Sequence, residues 1–291
     1  MTAIPRNGVL RWEIANVTLE VRCRGNQCPE AWMGLFPAFA ATTGTQNTPD
    51  ILLDADPIMD WENPRRPPSG ESTWWSTRTP SGVLLEGQHY SGVMQQVRGS
   101  MCGRLKADAK RATILASALR ACLSHWILGK GMLLHASGVL RYGRLWLFAG
   151  YSNAGKTTVA QELNGGGVPF AVDRVALLRE GTIPRAYATP FSDEPSELAR
   201  CAPAVPEAVI IVEHGDAHDL RRLVPASAAS QLIHHSSWNW QSKKVMSTAL
   251  ETAGWIAERV PVYAMTFLKD EGFWSLLDAT VRDSEVADNG V

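Results

Sequence analysis

The stretch Leu145-Trp-Leu-Phe-Ala-Gly-Tyr-Ser-Asn-Ala-Gly-Lys-Thr-Thr-Val-Ala160 decides how the second half of the chain folds. Leu145, Trp146, Leu147 and Phe148 form an unbroken apolar run and predict a short buried strand. Gly150, Gly155, Lys156 and Thr157 then fit the pattern G-x-x-x-x-G-K-S/T, and Thr158 to Leu163 continues with helical character. Strand, loop and helix in that order are the context this pattern requires. The physics is that of anion capture. Successive loop amides point inward as a nest, the positive end of the helix dipole backs them, and a lysine adds a point charge for outer phosphates. A hydroxyl at Thr157 is placed to ligate Mg²⁺. The candidate nucleotide-binding set is therefore Gly150, Ser152, Asn153, Ala154, Gly155, Lys156, Thr157 and Thr158; the alternative is a glycine-rich hairpin.

Outward from that loop the chain divides by texture. Residues 1–105 read as β-rich, with alternation over Val9–Arg22, Gly82–Glu86 and Tyr90–Arg98, and a proline-rich loop at Asn63–Glu71. Residues 106–291 read as the loop-bearing α/β domain. Asp108–Lys130 predicts one helix with Asp108 as its N-cap and Ile114, Ala118, Ala121, Cys122, His125 and Trp126 inward. Met132–Leu140 predicts a strand with His135 in its middle, hairpinned through Arg141–Gly143 to the loop strand. Val168–Asp173 predicts a strand ending in an acid and continuing through Val175–Leu178. Further strands are expected at Ala208–Glu213 and Val260–Phe267, and helices at 226–233, 247–259 and 272–278. Strands mixed with helices argue an α/β core.

The 291 residues carry a formal charge of −1 and 45% hydrophobic residues, ordinary values for a globular chain. That balance offers no attraction to nucleic acid or an anionic membrane, so neither is expected as a partner. The N-terminus lacks an apolar signal core, and a cytoplasmic location is the expectation. Cys23, Cys28, Cys102, Cys122 and Cys201 do not pair evenly and are expected to be reduced, with Cys23-x4-Cys28 at most half of a zinc site. His214, His218, His234 and His235 invite a metal reading, but without a tight carboxylate or cysteine ladder a packing role is favoured. Trp238-Asn-Trp240 with Lys243 and Lys244 offers an aromatic and basic lip for an acceptor, or a plain packing contact.

The order of elements adds a resemblance. Leu134-His135-Ala136-Ser137-Gly138, the loop Gly150–Thr157, Ala171-Val-Asp-Arg174, Thr189-Pro-Phe-Ser192 and Val260-Pro-Val-Tyr263 together resemble the catalytic domain of the HPr kinase/phosphorylase family over roughly 110–280. The resemblance implies an HPr kinase/PEP carboxykinase-like P-loop core with a β-rich N-terminal region. It implies a kinase using ATP and Mg²⁺ to phosphorylate a serine hydroxyl of a peptide or small protein, in the manner of ribosomal-peptide tailoring kinases. In that family the acid matching Asp173 is the base; here Asp173, His135 and Lys156 are the candidate catalytic residues, and Thr157 and Asp173 the candidate Mg²⁺ ligands. Self-association into a homo-oligomer is a further implication. Two departures stand out. Asn153 replaces a glycine, which suits the non-glycine residue best able to adopt positive φ. Arg174 replaces the second acid of an Asp-Asp pair, which opens the alternative of a catalytically weakened nucleotide-binding module; a small-molecule kinase is the other alternative.

Overall fold

The computed structural model describes residues 8–41, 48–61, 74–79, 82–192, 202–237 and 243–280. The proline-rich loop, Cys201 and Trp238–Trp240 lie outside them. The chain forms two compact units, Met1–Leu128 with Ser237–Thr248, and Gly129–Ser236 with Ala249–Val291.

The first unit is built on one seven-stranded mixed sheet. Its strands are β1 (Val9–Ile14), β2 (Val17–Cys23), β3 (Ile51–Ile58), β4 (Trp74–Thr79), β5 (Gly82–Gly87), β6 (Tyr90–Val97) and β7 (Ser100–Asp108), in the spatial order β1-β2-β3-β7-β6-β5-β4. The alternation read over Val9–Arg22 is a hairpin. Ala15 and Asn16 both take positive φ, 53° and 57°, the geometry that lets a two-residue turn match the twist of its strands. A single turn α1 (Glu30–Met33) follows β2, and α2 (Ala112–Trp126) packs on β3, β5, β6 and β7.

Three expectations are corrected here. The boundary at 105/106 would cut β7, which pairs with β3 as far as Ile58–Asp108, so α2 belongs with the N-terminal sheet. Asp108 ends that strand rather than capping α2; its carboxylate accepts the Lys110 amide at 2.8 Å and pairs with Arg111 at 3.0 Å. Cys23 and Cys28 are not reduced thiols or a zinc half-site but a disulfide, their Cα atoms brought to 5.3 Å by the turn after β2.

The second unit contains two sheets. Strands β8 (Gly131–Leu134), β12 (Val175–Glu180) and β13 (Ile183–Ala188) form a three-stranded sheet in the order β13-β12-β8. The larger sheet holds β9 (Ala136–Arg141), β10 (Arg144–Ala149), β11 (Val168–Ala171), β14 (Pro206–His214), β15 (Asp219–Arg222) and β16 (Val262–Phe267), in the order β11-β9-β10-β14-β16-β15. Helices α3 (Lys156–Gln161), α4 (Pro225–His234) and α5 (Lys243–Ala257) complete the set with a last helical stretch at 274–280; α5 begins in the first unit's share of the chain. The architecture is mixed α/β with strands predominating. β10, β14 and β16 run parallel, so their carboxyl ends lie on one edge, while β9 and β10 form the expected hairpin through Tyr142 and Gly143, both at positive φ.

Met132–Leu140 and Val168–Leu178 are not the continuous strands expected. Each is two strands in two sheets: β8 passes to β9 through His135 alone, and β11 passes to β12 through Val172–Arg174. The partners cross at the same level, since Leu134 pairs with Val175 before the crossing and Gly138 with Ala171 after it. Periodicity cannot show such a break, because both sides of it are buried.

The core of this unit gathers Trp146, Phe148, Val159, Ile210, Phe267, Phe273 and Trp274 beneath the β10–α3 connection. Phe148 is fully buried, edge-on to Phe273 at 6.1 Å and Trp274 at 5.7 Å. Phe148→Ala is expected to lower the unfolding free energy by about 3–5 kcal/mol in a urea titration, the weight of an aromatic ring lost from a packed core.

Candidate functional site

The apolar strand β10 ends at Ala149, and the chain turns through Gly150–Gly155 into α3. Both motif glycines have steric reasons. A Cβ on Gly150 would stand 2.8 Å from the Val212 carbonyl oxygen of the parallel neighbour β14. Gly155 has φ 91°, and a Cβ there would stand 2.8 Å from the Phe267 ring. Asn153 takes φ 67°, the conformation anticipated from its side chain. Inside the turn two donors converge on one oxygen: Lys156 Nζ donates to the Tyr151 carbonyl at 2.6 Å, and the Ala154 amide donates to the same carbonyl at 3.2 Å. Lys156 is only 5% exposed. Burial pushes its ammonium down to about 8, against a raising contribution from Asp173 and a further lowering one from Arg174. Thr157 and Thr158 are half-buried in the first turn of α3, whereas Ser152 is exposed on the loop.

The two sheet crossings supply the rest. His135 and Asp173 occupy the crossing points, and His135 Nε2 donates to Asp173 Oδ1 at 2.8 Å. Asp173 has φ 73°, an uncommon conformation for a residue with a side chain. Arg174 NH1 donates to Asp173 Oδ1 at 2.6 Å and to the Asp173 carbonyl at 2.7 Å. The Arg174 carbonyl in turn accepts from the Thr189 hydroxyl at 2.9 Å, which ties the start of Thr189-Pro-Phe-Ser192 to this residue. Burial holds the His135 imidazole below its ordinary value, opposed by its bond to Asp173 and reinforced by Arg174 and Lys156. Lys156, His135 and Asp173, far apart in sequence, therefore share one electrostatic neighbourhood.

Histidines that the sequence reading left to packing also meet here. The His235 carbonyl accepts the His135 amide at 2.6 Å. The Tyr151 ring lies edge-on to His234 and His235, 5.2 and 5.1 Å between centroids, and its hydroxyl shares a hydrogen bond with His234 Nε2. His214, at the carboxyl end of β14, donates from Nε2 to the Asn153 carbonyl at 2.9 Å. His218 lies apart, bonded to Asp270 at 2.8 Å. The only sequence hints were a His-His doublet closing a helical pattern and a histidine ending an apolar strand. Among the described residues no three His, Cys, Asp or Glu side chains gather as a metal-holding group, and no helix is long and apolar enough to cross a membrane.

Chemically, the arrangement sets a carboxylate able to accept a proton, oriented by an imidazole and a guanidinium, beside a buried ammonium and a turn whose donors face inward. No protein-family model matches the chain, and no curated protein matches it. Among solved structures, the Hpr(Ser) kinase/phosphatase from Coxiella burnetii superposes on 54% of this chain and 93% of its own, with 12% identity and a TM-score of 0.31. A superposition at that level carries no argument about activity, and the functional reading rests on the geometry of the site.

Burial pushes the His235 imidazole down to about 4, with His234, His135 and Lys156 adding to the effect. The unfolded chain takes up a proton at the ordinary histidine value of about 6.5. Stability is therefore expected to be fully present above about pH 6.5 and to fall as pH drops towards 4. His235→Gln should flatten that slope in thermal melts recorded from pH 7 to 4.

Proposed function

We propose that the second unit binds a nucleoside triphosphate on the loop Gly150–Thr157 and transfers its terminal phosphoryl group to a serine hydroxyl of a peptide or small protein. On this reading the fold is the P-loop core shared by HPr kinase and PEP carboxykinase, and ATP with Mg²⁺ is the phosphoryl source. The observation that carries the reading is the convergence of the Lys156 ammonium and the Ala154 amide on one carbonyl oxygen, in a loop of Walker A spacing electrostatically coupled to Asp173. A phosphate oxygen is a stronger acceptor than a carbonyl for both donors.

The donor set suits a metal that arrives on the nucleotide. Thr157 and Asp173 would be the protein ligands of an Mg²⁺ that arrives with the nucleotide. When bound it supplies charge neutralisation at the phosphates. The chain's own residues do the remainder. Amides of Gly150, Ser152, Asn153, Ala154 and Gly155 cradle the phosphates, Lys156 pairs with the outer ones, and Thr158 supports the helix start. Asp173 accepts the proton of the serine hydroxyl as its oxygen bonds to phosphorus and the bond to the departing diphosphate breaks. His135 holds the carboxylate in place.

One observation favours the second reading, a nucleotide-binding module with weakened transfer. Arg174 spends one guanidinium nitrogen on both the side chain and the carbonyl of Asp173, occupying the proposed base.

In calorimetric titrations Lys156→Ala is expected to weaken MgATP binding at least tenfold. Asp173→Asn keeps an oxygen that can face Mg²⁺ and should still bind MgATP, but lose phosphoryl transfer by about 10²–10⁴-fold with γ-labelled ATP and a peptide pool. Normal transfer by Asp173→Asn would remove Asp173 as the base. Label that reaches no acceptor with the parent, yet appears with Arg174→Asp, would select the weakened module. Only a protonated Lys156 pairs with phosphate, so affinity should hold steady below about pH 8 and decline as pH rises above it.

A further inference from the structure

We infer that His214 is a positioning residue for the phosphate loop, fixing from outside the direction in which a loop amide points inside; the role in binding rests on the nucleotide reading above. Three observations converge on this residue. His214 Nε2 donates to the Asn153 carbonyl at 2.9 Å. Its ring stacks on Phe267, 5.6 Å between centroids with an interplanar angle of 24°. The same two rings lie beneath Gly155, where a Cβ would stand 2.8 Å from Phe267 and 3.5 Å from His214 Cε1.

The consequence follows from the peptide unit. A trans peptide holds its C=O and N–H in opposite directions. The Asn153 carbonyl is drawn outward to His214, so the Ala154 N–H of the same peptide unit points into the loop, where it donates to Tyr151. Asn153 sits at φ 67°, a conformation that costs a non-glycine residue energy and needs its surroundings to hold it. His214 is the partner on its carbonyl. His214 and Phe267 end the neighbouring parallel strands β14 and β16 and are register partners. The sheet edge thus presents a rigid ring pair, one ring donating and the other supporting, against the two positive-φ residues of the loop.

His214→Phe keeps the stack and removes the donor; His214→Gln places an amide nitrogen near the position of Nε2. In the full chain without nucleotide, hydrogen exchange of the Ala154 amide is expected to accelerate in the Phe variant and to return towards the parent rate in the Gln variant. With MgATP, the Phe variant should bind about fivefold more weakly, the weight of one net hydrogen bond. In phosphoryl transfer the loss should appear in KM with kcat little changed, and the Gln variant should recover it. Unchanged Ala154 exchange in the Phe variant, or a Gln variant as impaired as the Phe variant, overturns the inference. If the parent itself binds no MgATP, the nucleotide reading fails, and the exchange comparison still decides whether His214 positions the loop.

Discussion

Two hydrogen-bonded strand pairs change sheets at the same level, and the proposed chemistry of the second unit hangs on that double crossing. β8 and β12 pair in the small sheet, β9 and β11 in the large one, and the residues between are released from both ladders. A residue inside a buried strand is surrounded by apolar neighbours on each face. His135 and Asp173 are placed at the crossings by separate parts of the chain, and their 2.8 Å contact links the two crossings directly.

The crossing and the loop beside it bring costs that the surroundings must offset. Asp173 adopts φ 73° and Asn153 φ 67°, positions worth about 1–3 kcal/mol of backbone strain each. Lys156 is buried deeply enough to lose part of its hold on its proton. Strain and desolvation of this kind persist where neighbouring contacts over-determine them: the Arg174 clamp on one carboxylate oxygen and the backbone carbonyl of Asp173, the His214 bond to Asn153, and the Tyr151 carbonyl that receives the Lys156 ammonium. All three are local electrostatic contacts that an incoming polyanion would compete with or strengthen. On the proposed nucleotide reading, a modest internal acceptor would give way to a charged external one.

The aromatic packing gives this machinery its rigidity. Phe148, Phe273 and Trp274 meet edge to face beneath the β10–α3 turn, and Phe267 carries the ring pair that faces Gly155. Close packing of this kind transmits small displacements rather than absorbing them. Glycine at 150 and 155 is then required by what stands opposite, a carbonyl oxygen of β14 and an aromatic ring of β16, as well as by the turn itself.

Much was legible in the sequence because it is local. The apolar run at Leu145, the glycine and lysine spacing, the tolerance of Asn153 for positive φ and the hairpin through Tyr142 and Gly143 depend on residues a few positions apart, where propensity and turn chemistry act directly. What escaped depends on contacts between distant segments. Apolar periodicity is the same on both sides of a sheet change, so His135 looked like the middle of a strand and Asp173 like the end of one. Asp108 looked like a cap because its pairing with Ile58, fifty residues earlier, leaves no local trace, and the Cys23–Cys28 bond depends on the turn that brings two Cα atoms together. The sequence by itself determined that a tight glycine-bearing turn of Walker A spacing follows a buried strand. Only the tertiary structure decided that a histidine, a carboxylate and an arginine would stand beside it, because their meeting is set by which strands pair across the two sheets.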